Sequence, residues 1–452
     1  MIILQFLKKT SLAIEYASFL LCFFYWLFYS IVRVKGIPVF FSGVQVNSVI
    51  SGIVVLVILL FNAMFFVRLF LEIAANTESL RARLTSKLLK NILPFSLFLV
   101  FIAFVTGGRF DYASYKLQWH LMIGGGDPWG FVEGGMVNAY GYVFNFLAVL
   151  YSVDSLVPKL FFVLLLVLFC WRLIVSQPTK SRTLVLFLCI NPFTISTIAI
   201  YGFIDGMCSL LLGFALLEQS FEPIRASMKS GVFLALSTLT KFYSIVALPI
   251  LLFAKWRSNT LKDFAKGYLF TFIIILTFSY VLWGDSILTP LLFAKGRDPS
   301  FLTLWKYVSH PELRTIIFSI TSAIAIALAC VRSDLSCSYR TAATLSIIFG
   351  TYYLGHQQFY LGILVALTVY IVEVSKDSIS IIRTPILWSF ALMLGWFIFI
   401  QTGFELYDEF KPIGFQNLLP FLSFLNSTIL VASGFFWLSS NPTRAQRTVL
   451  RS

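Results

Sequence analysis

Long apolar runs separated by short polar or basic breaks make up most of the chain. A bilayer core about 30 Å thick takes roughly 20 helical residues. The runs at 12–31, 47–71, 92–106, 157–176, 184–201, 203–218, 267–284, 315–331, 341–356, 359–374, 384–402 and 417–438 meet or approach that length. The pattern therefore predicts an all-α polytopic membrane protein of about twelve crossings. One further run, 231–254, is flanked by Lys229, Lys255 and Arg257 and interrupted by Lys241 and Pro249. It reads as a hairpin of two half-helices that enters and leaves on the same side. On this reading residues 1–452 form a single integral membrane domain, with its two longest loops, 107–156 and 285–314, on one face.

Composition agrees with lipid as the solvent. The 452 residues are 59% hydrophobic and only 12% charged, against roughly a quarter charged in soluble domains. The net charge of +14 would suit a nucleic-acid partner in a soluble chain, but here it follows topology. With the N-terminus inside, 23 of the Lys and Arg residues fall on the cytoplasmic side and ten outside, with Lys241 unassigned. No nucleic-acid partner is expected. Both termini are expected to be cytoplasmic, in a bacterial inner membrane ahead of the endoplasmic reticulum. Lys8 and Lys9 precede an apolar run bounded by Arg33 and Lys35, so this run is expected to be a first spanning helix and not a cleaved leader. The six cysteines show no CxxC pair and read as small core residues.

The chemistry-bearing side chains gather on the outer face, where long loops tend to carry function. The first loop holds Asp111, Tyr115, Trp119, His120, a Gly124-Gly125-Gly126-Asp127-Pro128-Trp129 turn, and Tyr140-Gly141-Tyr142. Asp111, at the membrane boundary, can take a proton from an acceptor hydroxyl. It can equally cap the helix predicted to follow it. Trp119, Trp129, Tyr140 and Tyr142 can stack on a sugar or simply pack the loop. Lys241 inside an apolar run is a functional candidate, with pairing to a nearby acid as the plainer alternative. Arg297 offers a planar fork for phosphate oxygens. Asp205 stands at a second loop, and His356 leads Gln357, Gln358 and Tyr360. His120, His310 and His356 all fall on or near this face, but without the spacing of a metal site, so no metal or other cofactor is expected and a divalent ion is the minor alternative.

In order along the chain, the Asp111 loop with its GGGDPW turn and YGYVFN segment is followed by Asn191-Pro192 with Gly202-Phe203-Ile204-Asp205. Then come Thr240-Lys241-Phe242-Tyr243 with Pro249, Gly296-Arg297 with Ser300 and Trp305, and His356-Gln357-Gln358-Phe359-Tyr360. Over about 107–365 this series resembles the GT-C glycosyltransferases, in particular the polyprenyl-phosphate-mannose-dependent mannosyltransferases. The resemblance implies a GT-C-like bundle and an inverting transfer of a sugar, most often mannose, from a polyprenyl or dolichyl phosphate to a glycan, lipid or protein acceptor on the outer face. It implies an acid of the first loop as general base, with Asp111 ahead of Asp127. Arg297, Lys241, His356, Gln358 and Tyr360 would bind donor phosphate or sugar, supported by Asp205, Tyr115, His120, Trp129 and Tyr140. Some members of the family need a partner subunit.

Two other functions fit a chain of this kind. A transporter or flippase would show internal repeats and charges near the bilayer midplane. No repeat is evident, and nearly all the charges sit at loops, with Glu15 and Lys241 the exceptions. A surface-polysaccharide polymerase or ligase would show one very large late outer loop, whereas 107–156 and 285–314 are both moderate.

Overall fold

The computed structural model describes residues 2–35, 48–74, 92–108, 110–130, 140–176, 188, 191–218, 223–290, 298–300, 302–308, 310–374, 385–405 and 415–440. Every regular element among them is helical. In chain order these are α1 (Ile2–Lys35), α2 (Ser48–Ala74), α3 (Ile92–Thr106), α4 (Asp111–Ile123), α5 (Tyr142–Phe146), α6 (Ala148–Tyr151), α7 (Val157–Ser176) and α8 (Pro192–Thr194). After α8 the chain continues as a π-helix, Ile195–Ile200. Then follow α9 (Ile204–Glu218), α10 (Pro223–Thr240), α11 (Ala247–Arg257), α12 (Leu261–Trp283), α13 (Pro311–Val331), α14 (Cys337–Thr351), α15 (Tyr360–Val374), α16 (Pro385–Glu405) and α17 (Phe415–Ser439).

Five helices among the described residues are long and apolar enough to cross a membrane, or up to seven if each of two bent pairs counts as one span. That is fewer than the twelve runs in the sequence, and two of those runs form short helices inside the bundle. All 15 residues of α9 and all 15 of α14 are buried. At 1.5 Å per residue each is about 22 Å long, short of a bilayer core. They form the interior of the bundle, packed with α10, α15 and α17. By contrast α12 and α13 are buried over only 17% and 11% of their apolar windows. Uniform apolarity looks the same against lipid as against protein.

Both bends have local causes. Between α3 and α4 the chain turns by 77°. Gly107 there takes φ +64 as α3 ends, and Phe110 is held at φ 54, ψ −137, a conformation that costs an L residue on the order of 1–3 kcal/mol. Between the π-helix and α9 the bend is 115°, with Gly202 at φ +62. The Asn-Pro motif has a plain structural role here. Asn191 Oδ1 accepts from Phe193 N at 2.9 Å and Pro192 fills the first helical position, where its missing N–H costs nothing.

The chain reverses at Lys241, which is extended (φ −155, ψ 127) between α10 and a 3-10 turn, Phe242–Val246. Near the far ends of this hairpin the Ser227 hydroxyl donates to the carbonyl of Thr260 at 3.2 Å. The segment thus enters and leaves at one level, and its tip carries Lys241.

Candidate functional site

Four sequence-distant segments meet around the hairpin tip. Lys241 Nζ donates to Asp205 Oδ1 at 2.7 Å, joining the end of α10 to the first turn of α9. The same ammonium lies 4.1 Å from the centroid of the Phe359 ring and 5.3 Å from that of Tyr140. Both distances fall within cation–π reach. Tyr140 is brought there by its neighbour. Gly141 N donates to the Thr240 carbonyl at 3.0 Å, and a Cβ on Gly141 would stand 2.2 Å from Leu239 O, so only glycine lets the loop backbone approach this closely. Tyr243, two residues past Lys241, packs its ring on Phe359 and shares a 3.0 Å hydrogen bond with Ser209.

The first loop reaches this cluster through Tyr115, whose hydroxyl is 3.1 Å from that of Tyr140. Burial pushes the Tyr115 phenol well above its ordinary range. The neighbouring Tyr140 and the charges of Asp111 and Asp205 add to that shift, so both carboxylates act on one hydroxyl. Asp111 is the first residue of α4 and not its cap. Phe110 holds the cap position, with no side-chain cap bond. The negative charge there is favoured by the helix dipole, and Asp111 stays half-buried at the head of the site.

The remaining candidates divide clearly. Asp127 is exposed and committed to the loop: Oδ1 accepts from Trp129 N and Oδ2 from Ser286 Oγ, both at 3.0 Å. It ties the two outer loops together. Trp129 is buried at 4% exposure among Tyr142, Trp283 and the Tyr140 carbonyl, and Trp119 is fully buried against Phe144. With their faces covered, both pack the loop. Tyr142 is likewise buried, its hydroxyl donating to the Ile287 carbonyl at 2.9 Å. Tyr360 is also turned inward; its ring stacks on Phe397 and its hydroxyl accepts from Asn426 Nδ2 at 2.7 Å. His120 is exposed while Tyr112, Tyr115 and Trp119 take the buried face of α4. His356 is half-buried, edge-on to Phe359 and 3.5 Å from Ser300 Oγ. Gln358 is buried beside Gln357, whose Oε1 has no hydrogen-bond partner among the described residues. Arg297 lies outside the described residues. Among the described residues no group of three or more His, Cys, Asp or Glu side chains is placed to hold a metal ion.

One residue that anchors the site was hidden in the sequence. Lys159, one of the ten basic residues that the charge count puts outside, is fully buried and donates to Thr106 Oγ1 at 2.6 Å and to the Gly107 and Ile200 carbonyls at 2.7 Å each. The π-helix contributes to this by freeing carbonyls at its end, and Ala199 O accepts from Thr106 in the same way. Lys159 thereby pins the chain four residues before Asp111.

Lys241 makes one hydrogen bond with its three N–H groups among the described residues, and its side chain is 17% exposed. Asp205 Oδ2 is buried with no hydrogen-bond partner among the described residues. A cation with spare donors beside an acceptor with a spare lone pair can hold a phosphate and a sugar hydroxyl respectively. Comparison of the chain with protein-family models, with curated proteins and with solved structures returns no match.

Proposed function

We propose that the chain is a membrane-embedded glycosyltransferase of the GT-C kind, taking a hexose, mannose first, from a polyprenyl or dolichyl phosphate and passing it to a glycan, lipid or protein acceptor on the outer face. The observation that carries this reading is the meeting of Lys241, Asp205, Tyr140 and Phe359, which come from four of the segments that carry the resemblance. In the mechanism Asp111 takes the proton of the acceptor hydroxyl. The freed oxygen pair attacks the anomeric carbon, and the bond to the carrier phosphate breaks on the opposite side, with inversion. Lys241, held by Asp205, balances the charge that grows on the departing phosphate. The twelve-span threading belongs to the same proposal.

The test is transfer from polyprenyl-phosphate mannose in membranes. Asp111→Asn is expected to lower turnover by about 100-fold or more with expression intact, the scale of a lost general base. Lys241→Gln should weaken donor use more than acceptor use. Near-normal turnover of both variants would sink the assignment. The buried Lys241–Asp205 pair is also what a transporter would carry. Movement of an intact solute into liposomes without sugar transfer would favour that reading.

A further inference from the structure

The two bends of the chain meet across one ammonium and one ring. The first, after α3, leads to Asp111; the second, before α9, leads to Asp205 and through it to Lys241. Lys159 Nζ donates to Thr106 Oγ1 and the Gly107 carbonyl on the first bend and to the Ile200 carbonyl on the second. Thr106 Oγ1 is itself 3.2 Å from the Ala199 carbonyl. Tyr112, next to Asp111, is wedged between the same two bends. A Cβ at Gly108 would stand 2.6 Å from its ring, and a Cβ at Gly202 would stand 3.0 Å from that ring and from Lys159 Cγ. The Tyr112 hydroxyl donates to the Ser155 carbonyl at 2.9 Å and accepts from Lys159 N at 3.1 Å. Phe110 adds an edge-on contact with Tyr201, 5.4 Å between ring centroids.

This lock is dry, since Lys159, Tyr112 and Thr106 are all buried. Short, charge-assisted bonds hold positions closely where water cannot compete. Phe110 shows the force of the lock. Its φ of 54 is foreign to an L residue, and such a conformation persists only where the surroundings over-determine it. Among the described residues neither Lys159 nor Tyr112 hydrogen-bonds the side chain of Asp111, Asp205 or Lys241. They act on the backbone that carries those groups.

We infer that Lys159 and Tyr112 are positioning residues for sugar transfer, fixing the spacing between the Asp111 carboxylate and the Lys241 ammonium. That spacing sets the attacking hydroxyl and the departing phosphate on opposite faces of the anomeric carbon. The inference rests on the reading of Asp111 as the base. A displacement of this kind tolerates little error, about 1 Å of misplacement costing on the order of 100-fold in rate.

Tyr112→Phe and Thr106→Val each take one hydroxyl from the lock and keep the shape of the side chain. The full-length variants are assayed with polyprenyl-phosphate mannose well below their melting temperatures. Each is expected to lower kcat about tenfold and leave the donor KM unchanged. The double variant Asp111→Asn/Tyr112→Phe should be no slower than Asp111→Asn alone, because a residue that acts through Asp111 adds nothing once the carboxylate is gone. Ser346→Ala is the control for destabilisation. Its buried hydroxyl donates to the Leu430 carbonyl at 2.6 Å in the bundle interior, so its loss should lower the melt and leave kcat unchanged. Three results overturn the inference and leave the base assignment standing: an unchanged kcat in both hydroxyl variants, an equal loss in Ser346→Ala, or a loss that multiplies with that of Asp111→Asn. Near-normal turnover of Asp111→Asn would overturn both.

Discussion

The ammonium of Lys159 is served by three neutral oxygens and no carboxylate among the described residues. Each bond is short and charge-assisted, and replacing the side chain leaves three buried acceptors without a donor. Lys159→Met is expected to destabilise the protein by about 3 kcal/mol, read in thermal or denaturant melts in detergent. A variant as stable as wild type would mean that the three oxygens find other donors. Sequence reading counted Lys159 among the ten outer-side basic residues, and a lysine opening an apolar run usually snorkels. Nothing local distinguishes a snorkelling lysine from one turned inward toward free carbonyls. The opposite holds for Lys241 and Glu15, the two charges that interrupt apolar runs. Both stood out as isolated charges, and both are paired, Lys241 with Asp205 and Glu15 with Arg68 at 3.0 Å. Their partners lie 36 and 53 residues away, a separation on which periodicity is silent.

At the scale of elements, the loop–hairpin junction decides where the first loop sits. Gly141 rests on the backbone of Leu239 and Thr240, which have no flexible end to move aside. Gly141→Ala is therefore expected to cost about 2 kcal/mol or more as overpacking. It should also lift Tyr140 from Lys241. Tryptophan fluorescence would register the change, since Trp129 Nε1 donates to the Tyr140 carbonyl at 3.2 Å. An unchanged melt and spectrum would show that the loop is held elsewhere. The reversal at Lys241 was legible because basic flanks and a charge at the centre of one apolar run favour two antiparallel limbs over one crossing. The interior positions of α9 and α14 were not, although α14 carried a signal. Its Ser, Thr, Ala and Gly content (CSYRTAATLSIIFGT) is that of a helix packed closely on other helices. Within the site, Asp205, Lys241, Tyr140, Tyr115 and His356 were named from sequence and lie in or against one cluster. The cluster's other members, Phe359, Tyr243 and Ser209, read as ordinary span residues.

On the scale of the whole molecule, the charge asymmetry and the fold bear on the same question, which end faces the cytoplasm. Lys255 and Arg340, counted among the basic residues of the inner face, are buried, and Lys159, counted outside, is buried as well. Removing all three leaves 21 against nine, so the positive-inside argument survives the correction. The hairpin's reversal puts Asn259 at the base, opposite Lys241 and the first loop, and the chain after α4 exposes Val153 on the loop side. A membrane-impermeant maleimide added to intact cells should label Val153→Cys and leave Asn259→Cys unlabelled until the membrane is opened. The parent protein serves as control for the native cysteines; among the described ones Cys170, Cys208 and Cys337 are buried and Cys22 and Cys330 are partly covered, while Cys189 lies outside the described residues. Labelling of Asn259→Cys from outside would invert the topology. Asp111, Lys241 and Asp205 would then face the cytoplasm, where a transferase using a carrier-linked donor on the outer face could not work.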